Sequence, residues 1–470
     1  MTTSRTLIRG GLVITAADEA HADVLIEGGR IAAVAAADSS VAQGWHEIDA
    51  EVIDAAGAYV IPGGVDAHTH MEMPFGGTTA SDTFETGTRA AAWGGTTTIV
   101  DFAIQNVGRS LRSGLDAWLD KADARCAIDY SFHMIVSDVN DETLKEMDIL
   151  VEEGVTSFKM FMAYPGVFYS DDGKILRAMQ RAAGNGGLVM MHAENGIAID
   201  VLVEQALAAG KTDPRYHGEV RHALLEAEAT HRAIQLSRVA GSPLYVVHVS
   251  AQQAVAELAA ARDQGLPVFG ETCPQYLFLS TDNLAEPDFE GAKYVCSTPL
   301  RPREHQAALW QGLRTDDLQV VSTDHCPFCF NGQKEMGRDD FSKIPNGLPG
   351  VENRMDLLHQ AVVEGRISRR RWIEIACAAP ARMFGLYPRK GTLAPGADAD
   401  VVIYDPHAEQ VLSAETHHMN VDYSAYEGRR ITGKVRTVLS RGVPVIQDGS
   451  YVGRAGHGRY TPRGICQYLD

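Results

Sequence analysis

Cysteine is scarce: seven in 470 residues. The number is odd and the spacing forms no framework, which excludes a disulfide scaffold and points to a reducing cytoplasm. Positive charge is also short. Against 61 Asp and Glu stand 42 Lys and Arg, a net charge of −19. A chain of that balance releases few counterions from a phosphate backbone, so nucleic acid is excluded as a partner. An anionic membrane surface is excluded for the same reason. No run of 18 apolar residues occurs, so no transmembrane helix is expected. The start, Met1-Thr2-Thr3-Ser4-Arg5, lacks a basic segment leading into a long apolar one, and no secretory leader is expected. Internal repeats and low-complexity stretches are missing. So is a G-x-G-x-x-G after the first barrel run, which counts against a dinucleotide-binding fold.

What remains is ordinary globular composition, 45% apolar and 22% charged, in a chain long enough for one large core and a smaller unit. Residues 6–60 read as short strands separated by glycine turns, with no helix-length period. Residues 391–452 read the same way. Each end can bury only one face by itself, so both are expected to combine into a β-sandwich. Between them, apolar runs alternate with helical patterns. Eight runs are legible: 64–68, 97–101, 130–136, 155–159, 187–192, 244–248, 267–271 and 319–323. Helices fall at 111–124, 143–153, 223–239 and 251–264. Eight strands alternating with helices predict a closed (β/α)₈ TIM barrel, with an open doubly wound sheet as the second choice. The expected organisation is a sandwich from 1–61 and 391–455, a barrel over 62–390, and a tail at 456–470. The Gly-rich, basic stretch from Gly453 to Tyr460 is expected to leave the core.

The first barrel run ends Asp66-Ala67-His68-Thr69-His70. Residues two apart on a strand share a side, so two imidazoles face the barrel axis at a spacing that suits a divalent metal. Alone, H-x-H also fits a polar turn. Other runs end the same way, in Lys159, His192, His248 and Asp324. Barrel active sites draw residues from several strand ends on one face. Lys159 sits among Phe158, Met160, Phe161 and Met162, where desolvation lowers an amine's pKa. A neutral amine adds CO₂, and the resulting carbamate can bridge two metals about 3.5–4 Å apart. His68, His70 and Asp324 then hold one metal, His192 and His248 the other, with the carbamate and a hydroxide between. A lysine that snorkels or pairs with a carboxylate is the alternative, and it removes the metal site.

These segments resemble the dihydropyrimidinase/D-hydantoinase branch of the cyclic amidohydrolases. The likeness is carried by Gly63-Gly64-Val65-Asp66-Ala67-His68-Thr69-His70-Met71-Glu72-Met73-Pro74-Phe75-Gly76-Gly77-Thr78, by Ser157-Phe158-Lys159-Met160-Phe161-Met162-Ala163-Tyr164, by His192-Ala193-Glu194-Asn195-Gly196 and by Ser322-Thr323-Asp324-His325-Cys326-Pro327-Phe328. The resemblance implies a binuclear zinc site on carboxylated Lys159 (N6-carboxylysine), with every ligand position filled. It implies a homotetramer whose tail, around residues 454–463, reaches a neighbour. It implies Tyr164 as donor to the tetrahedral oxyanion, Asp324 as general base then acid, and main-chain groups of Ser297 and Asn346 as readers of the cyclic ureide. Thr298 stands where relatives commonly carry Pro. Met71, Phe75, Phe161 and Phe168 are the expected apolar wall for the ring substituent.

The expected reaction is hydrolysis of 5,6-dihydropyrimidines and 5-substituted hydantoins to N-carbamoyl amino acids. Allantoinase is the near alternative. Dihydroorotase is disfavoured because Glu72 occupies the position where a substrate carboxylate needs a cation. A non-catalytic oligomeric adaptor of the same superfamily would lack the ligands that this chain keeps. Cys326-Pro327-Phe328-Cys329 lacks the βαβ context of a redox motif. Gly94-Gly95-Thr96-Thr97-Thr98 lacks the lysine of a phosphate loop. His325 is expected to point away from the ligands, and Glu194 alone does not make a one-metal deaminase.

Overall fold

The computed structural model describes residues 5–469; most of the segment inspected for a leader, residues 1–4, lies outside them. Eight parallel strands form the barrel: Gly64–Thr69, Thr96–Ile104, Asp129–Ile135, Ser157–Phe161, Leu188–His192, Leu244–Val246, Val268–Thr272 and Val320–Val321. Each coincides with one of the eight apolar runs. Every residue in them is buried, as expected of parallel strands covered on both faces. Side-chain caps and glycines set where the intervening helices start and stop. Asp171 caps the helix Asp172–Asn185 by accepting from the Lys174 N–H, and Gly186, at φ 78°, ends it just before the fifth strand.

The seam between the first and eighth strands is closed mainly by side chains. Asp66 accepts from the Thr323 N–H at 3.1 Å and from its hydroxyl at 2.6 Å. Fully buried Arg354 donates to the carbonyls of Val65 and Val321, both at 3.0 Å. The His70 N–H donates to the His325 carbonyl at 2.9 Å. These contacts fix the two metal-capable strand ends against each other.

Both chain ends meet in a second, nine-stranded sheet. The join is antiparallel pairing of Tyr59–Pro62 with Val401–Val411. The two halves are thus one hydrogen-bonded sheet with its own core, in which Ile8, Val24 and Val60 meet Val401 and Ile403. One short helix, Ser40–Trp45, interrupts the N-terminal strands. Six residues are too few to print a period on the sequence, and its start depends on the Ser39 cap.

The tail differs from expectation. It does not leave the core but lies along the floor of its own barrel. The Tyr130 N–H donates to the Arg459 carbonyl at 3.1 Å, and the Thr461 N–H to the Tyr130 carbonyl at 2.8 Å. Buried Arg463 donates to Ser131 Oγ, Ser157 Oγ and the Phe132 carbonyl. Glycine here serves close approach: a Cβ at Gly458 would sit 1.9 Å from the Ile128 carbonyl oxygen. Among the described residues no helix is long and apolar enough to cross a membrane.

Candidate active site

Three ligating atoms converge at the barrel mouth. His68 Nε2 and His70 Nε2 are 3.2 Å apart, and Asp324 Oδ1 lies 3.1 Å from the first and 3.2 Å from the second. His192 and His248 face each other with ring centroids 4.6 Å apart, and His248 is 5.5 Å from the His68 ring. Lys159 is 1% exposed and its Nζ makes no hydrogen bond or ion pair; it lies 5.0 Å from the ring centres of both Phe102 and Phe161. The four histidines, Asp324, Lys159 and Phe161, with Tyr164, Ser297 and Asn346, line one cavity.

Protonation states suit metal binding, which needs neutral imidazole, carboxylate and a deprotonated third class of ligand. Burial pulls His70 down to about 4 and holds His192 and His248 below the usual histidine range. Burial also acts on His68, but the carboxylates of Glu271 and Asp324 outweigh it and raise the pKa. For Asp324, burial is overcome by His68 and His70, which keep the carboxyl ionised. Lys159 is lowered to about 8 by burial, only partly opposed by Asp324 and Glu271. A free amine is therefore accessible near neutrality.

The donor set fits a divalent cation by its unfinished valences as well. His70 Nδ1 and His248 Nδ1 are buried without partners, a costly state for a polar atom removed from water. His68, His70 and Asp324 are the group of three metal-capable side chains within 4.8 Å of one another among the described residues.

Supporting residues fix which nitrogen faces inward. Glu271, at the end of the seventh strand, takes His68 Nδ1 and leaves Nε2 for the cavity; it also accepts from the Tyr245 hydroxyl at 2.9 Å. Glu194 takes His192 Nε2 at 2.8 Å, which leaves Nδ1 free, and is itself held by Arg221 at 3.1 Å. Asp101, ending the second run, accepts from the N–H groups of Met71 and Phe102 and from the Thr69 hydroxyl, each at 2.8 Å. None of the three was singled out as a site residue, although each ends or directly follows an apolar run and so carried the same signal that pointed to Asp324.

Backbone strain concentrates at the same face. Tyr164, His248 and Asp324 have φ of 62°, 42° and 52°, a region that non-glycine residues seldom occupy and that clusters at functional sites. For Tyr164 the turn directs the half-buried phenol to the side chains of Ser297 and Asn346. Burial raises its pKa to about 12, so it is a donor at any ordinary pH. Asn346 Nδ2 also donates to Ser297 Oγ at 3.1 Å, and the Ser297–Thr298 peptide is cis.

The apolar wall is close to expectation with one correction. The Phe168 ring lies 5.0 Å from Phe161 and 6.4 Å from Phe75, and all three line the cavity. Met71 does not. Its sulfur occupies the space left by Gly87, where a Cβ would come within 2.2 Å of it, and its N–H is held by Asp101. Met73 and Cys326 line the cavity instead. His325 turns away, bound to Asp82 at 3.0 Å and to the Gly350 N–H at 3.0 Å. Cys326 and Cys329 are free thiols.

Comparison with known proteins agrees with this architecture. Residues 59–445 match the Amidohydrolase family. A D-hydantoinase of Streptomyces coelicolor is 82% identical over 466 residues, covering 99% of each chain. A D-hydantoinase of Geobacillus stearothermophilus is 51% identical, covering 97% of this chain and 96% of the other. The crystal structure of dihydropyrimidinase from Brevibacillus agri NCHU1002 superposes with a TM-score of 0.95 at 50% identity, over 98% of this chain and 99% of that one. Similarity of this extent runs through barrel and flanking sheet alike, and on that ground the chain belongs to the amidohydrolase family.

Proposed function

We propose that this chain is a cyclic amidohydrolase of the D-hydantoinase and dihydropyrimidinase type. It opens the ring of 5-substituted hydantoins and 5,6-dihydropyrimidines to give N-carbamoyl amino acids. The observation that carries this reading is the sealed, unpartnered Lys159 amine beside four histidines and Asp324. The near-full-length identity to proteins described as D-hydantoinases supports the substrate class.

In this reading Lys159 carries a carboxylate, formed when its neutral amine adds CO₂ and loses a proton. His68, His70, His192, His248, Asp324 and the carboxylated Lys159 would together hold the two cations. When bound, two zinc ions supply a Lewis acid for the ring carbonyl and a water acidified enough to attack it. The chain's own groups do the rest. Asp324 takes the proton from the attacking water and returns it to the departing ring nitrogen, so that OH adds to the carbonyl carbon and H to nitrogen as the C–N bond breaks. Tyr164 donates its phenolic hydrogen to the oxygen that gains charge. Main-chain groups at Ser297 and Asn346 orient the ureide edge. Phe75, Phe161 and Phe168 exclude water on the side of the ring substituent.

The same reading places the protein in the cytoplasm as a homotetramer; seven cysteines with no framework spacing support a reducing compartment. The test is a panel of dihydrouracil, 5-phenylhydantoin, allantoin and dihydroorotate, scored by ring-opening rate alongside metal analysis. Preferred opening of the first two with about two zinc per chain supports the reading. Preference for allantoin overturns the substrate, and absence of both metal and turnover overturns the enzyme.

A further inference from the structure

Besides Lys159, another buried lysine lies behind the cavity. Lys334 opens a short 3₁₀ turn, 334–337, and is fully buried. Its Nζ donates to three main-chain carbonyls: Val295 at 2.9 Å, Pro345 at 2.7 Å and Gly347 at 2.8 Å. No carboxylate is among its partners. An ammonium has three donors and no acceptor, so donors and acceptors match one to one.

The acceptors belong to the two segments that carry Ser297 and Asn346. Val295 is two residues before Ser297, and Pro345 and Gly347 flank Asn346. A trans peptide is planar, with its C=O and N–H pointing opposite ways. Drawing the Pro345 carbonyl toward Nζ therefore turns the Asn346 N–H away from Lys334. The next peptide is fixed from its other end: the Gly347 N–H donates to the Val295 carbonyl at 3.0 Å, so the Asn346 carbonyl must point the opposite way. Both polar main-chain groups of Asn346 are thus aimed before any substrate arrives. Gly347 sits at φ 153°, and a Cβ there would lie 2.2 Å from the Cys326 carbonyl oxygen, so the segment runs close against the strand end that follows Asp324.

We propose that Lys334 is a positioning residue for the reaction: by gripping the carbonyls of Val295, Pro345 and Gly347 it sets the direction of the Asn346 peptide groups that read the substrate ring, and it holds the segment that leads to Ser297. The proposal rests on the ring-opening function given above. It adds that one buried lysine reinforces the direct contacts between two loops that lie 39 and 11–13 residues away from it in sequence. Misplacement of a reacting group by about 1 Å costs roughly 10²-fold.

The test is a graded series in the holoenzyme: Lys334 with three donors, Lys334→Gln with two, and Lys334→Met with none at similar length. KM for dihydrouracil and 5-phenylhydantoin is expected to rise in that order, about tenfold or more for Lys334→Met, while zinc per folded chain stays at the level of the unaltered enzyme. A structural role alone would lower the folded fraction and leave KM unchanged; that result, or Lys334→Gln no better than Lys334→Met, overturns the proposal. Should Lys334→Met fail to fold, Lys334→Gln and amide exchange in the unaltered enzyme decide. The Gly347 amide is expected to exchange slowly without substrate, and fast exchange overturns the preset geometry. Failure of the unaltered enzyme to open either ring refutes the function itself and is read separately.

Discussion

Two lysines are sealed at opposite ends of the barrel, and their surroundings are opposite too. At the floor, Lys390 is fully buried with Nζ 2.6 Å from Asp129, 2.7 Å from Asp400 and 3.1 Å from Asp398. Asp129 starts the third barrel strand and Asp400 precedes the strand Val401–Val411, so this cluster ties barrel to sheet. Toward the mouth, Lys159 is just as inaccessible but has no carboxylate within ion-pair distance and two aromatic faces beside it. Burial costs the same in both places. At the floor three carboxylates within 3.1 Å compensate it; near the mouth Asp324 and Glu271 oppose it only from beyond ion-pair distance, and the amine is left neutral enough to react. What separates a fastener from a reactive group is the partner list, not the depth.

The largest expected effects come from deleting each lysine. Lys159→Ala should lose about 10³-fold or more in turnover together with most of the bound metal, with little loss in Tm, because no paired charge is broken. Lys390→Met removes the cation shared by three carboxylates, leaving Arg441 on Asp129 and Arg389 on Asp398, and should cost about 3 kcal/mol in denaturant unfolding, while the folded fraction keeps its metal. Equal destabilisation by both would break the contrast. Next, Tyr164→Phe removes a donor and should lower kcat about 10²–10³-fold at unchanged metal content, as measured by turnover and metal analysis. Smaller still, Glu271→Gln weakens the hold on His68 and should reduce metal affinity about 10–100-fold in competition with a chelator.

The mildest test is a pH dependence. Burial lowers Lys159 from 10.5 to about 8, so its neutral fraction falls tenfold per pH unit below that value and saturates above it. Reloading of metal-stripped enzyme with zinc and bicarbonate should quicken from pH 6 to about pH 8 and then level. A rate still climbing toward pH 10 would mean that the amine keeps its ordinary affinity for protons, and the contrast with Lys390 would fail.

The barrel was legible because parallel strands covered on both faces must be continuously apolar, and eight such runs stood out. His68, His70, Lys159, His192, His248 and Asp324 were legible because each ends or interrupts one of those runs. Glu271 and Asp101 carried the same mark and were passed over, since their role depends on which imidazole or N–H lies opposite. Met71 was misplaced for a related reason: only the vacancy at Gly87 decides where its sulfur goes. The tail was misjudged because glycine serves two ends, flexibility and close approach, and Gly458 serves the second.

The sequence by itself determined the inventory: strand count, the ionisable groups at strand ends, and an amine set among apolar neighbours, all local properties of period and composition. Tertiary structure alone decided the partnerships. Nothing near Lys159, Lys334 or Lys390 in the chain tells that one has no partner, one grips three carbonyls and one meets three carboxylates, because no partner neighbours its lysine on the same strand or helix. Charge is compensated through space, over a few ångströms, and only the folded chain sets those distances.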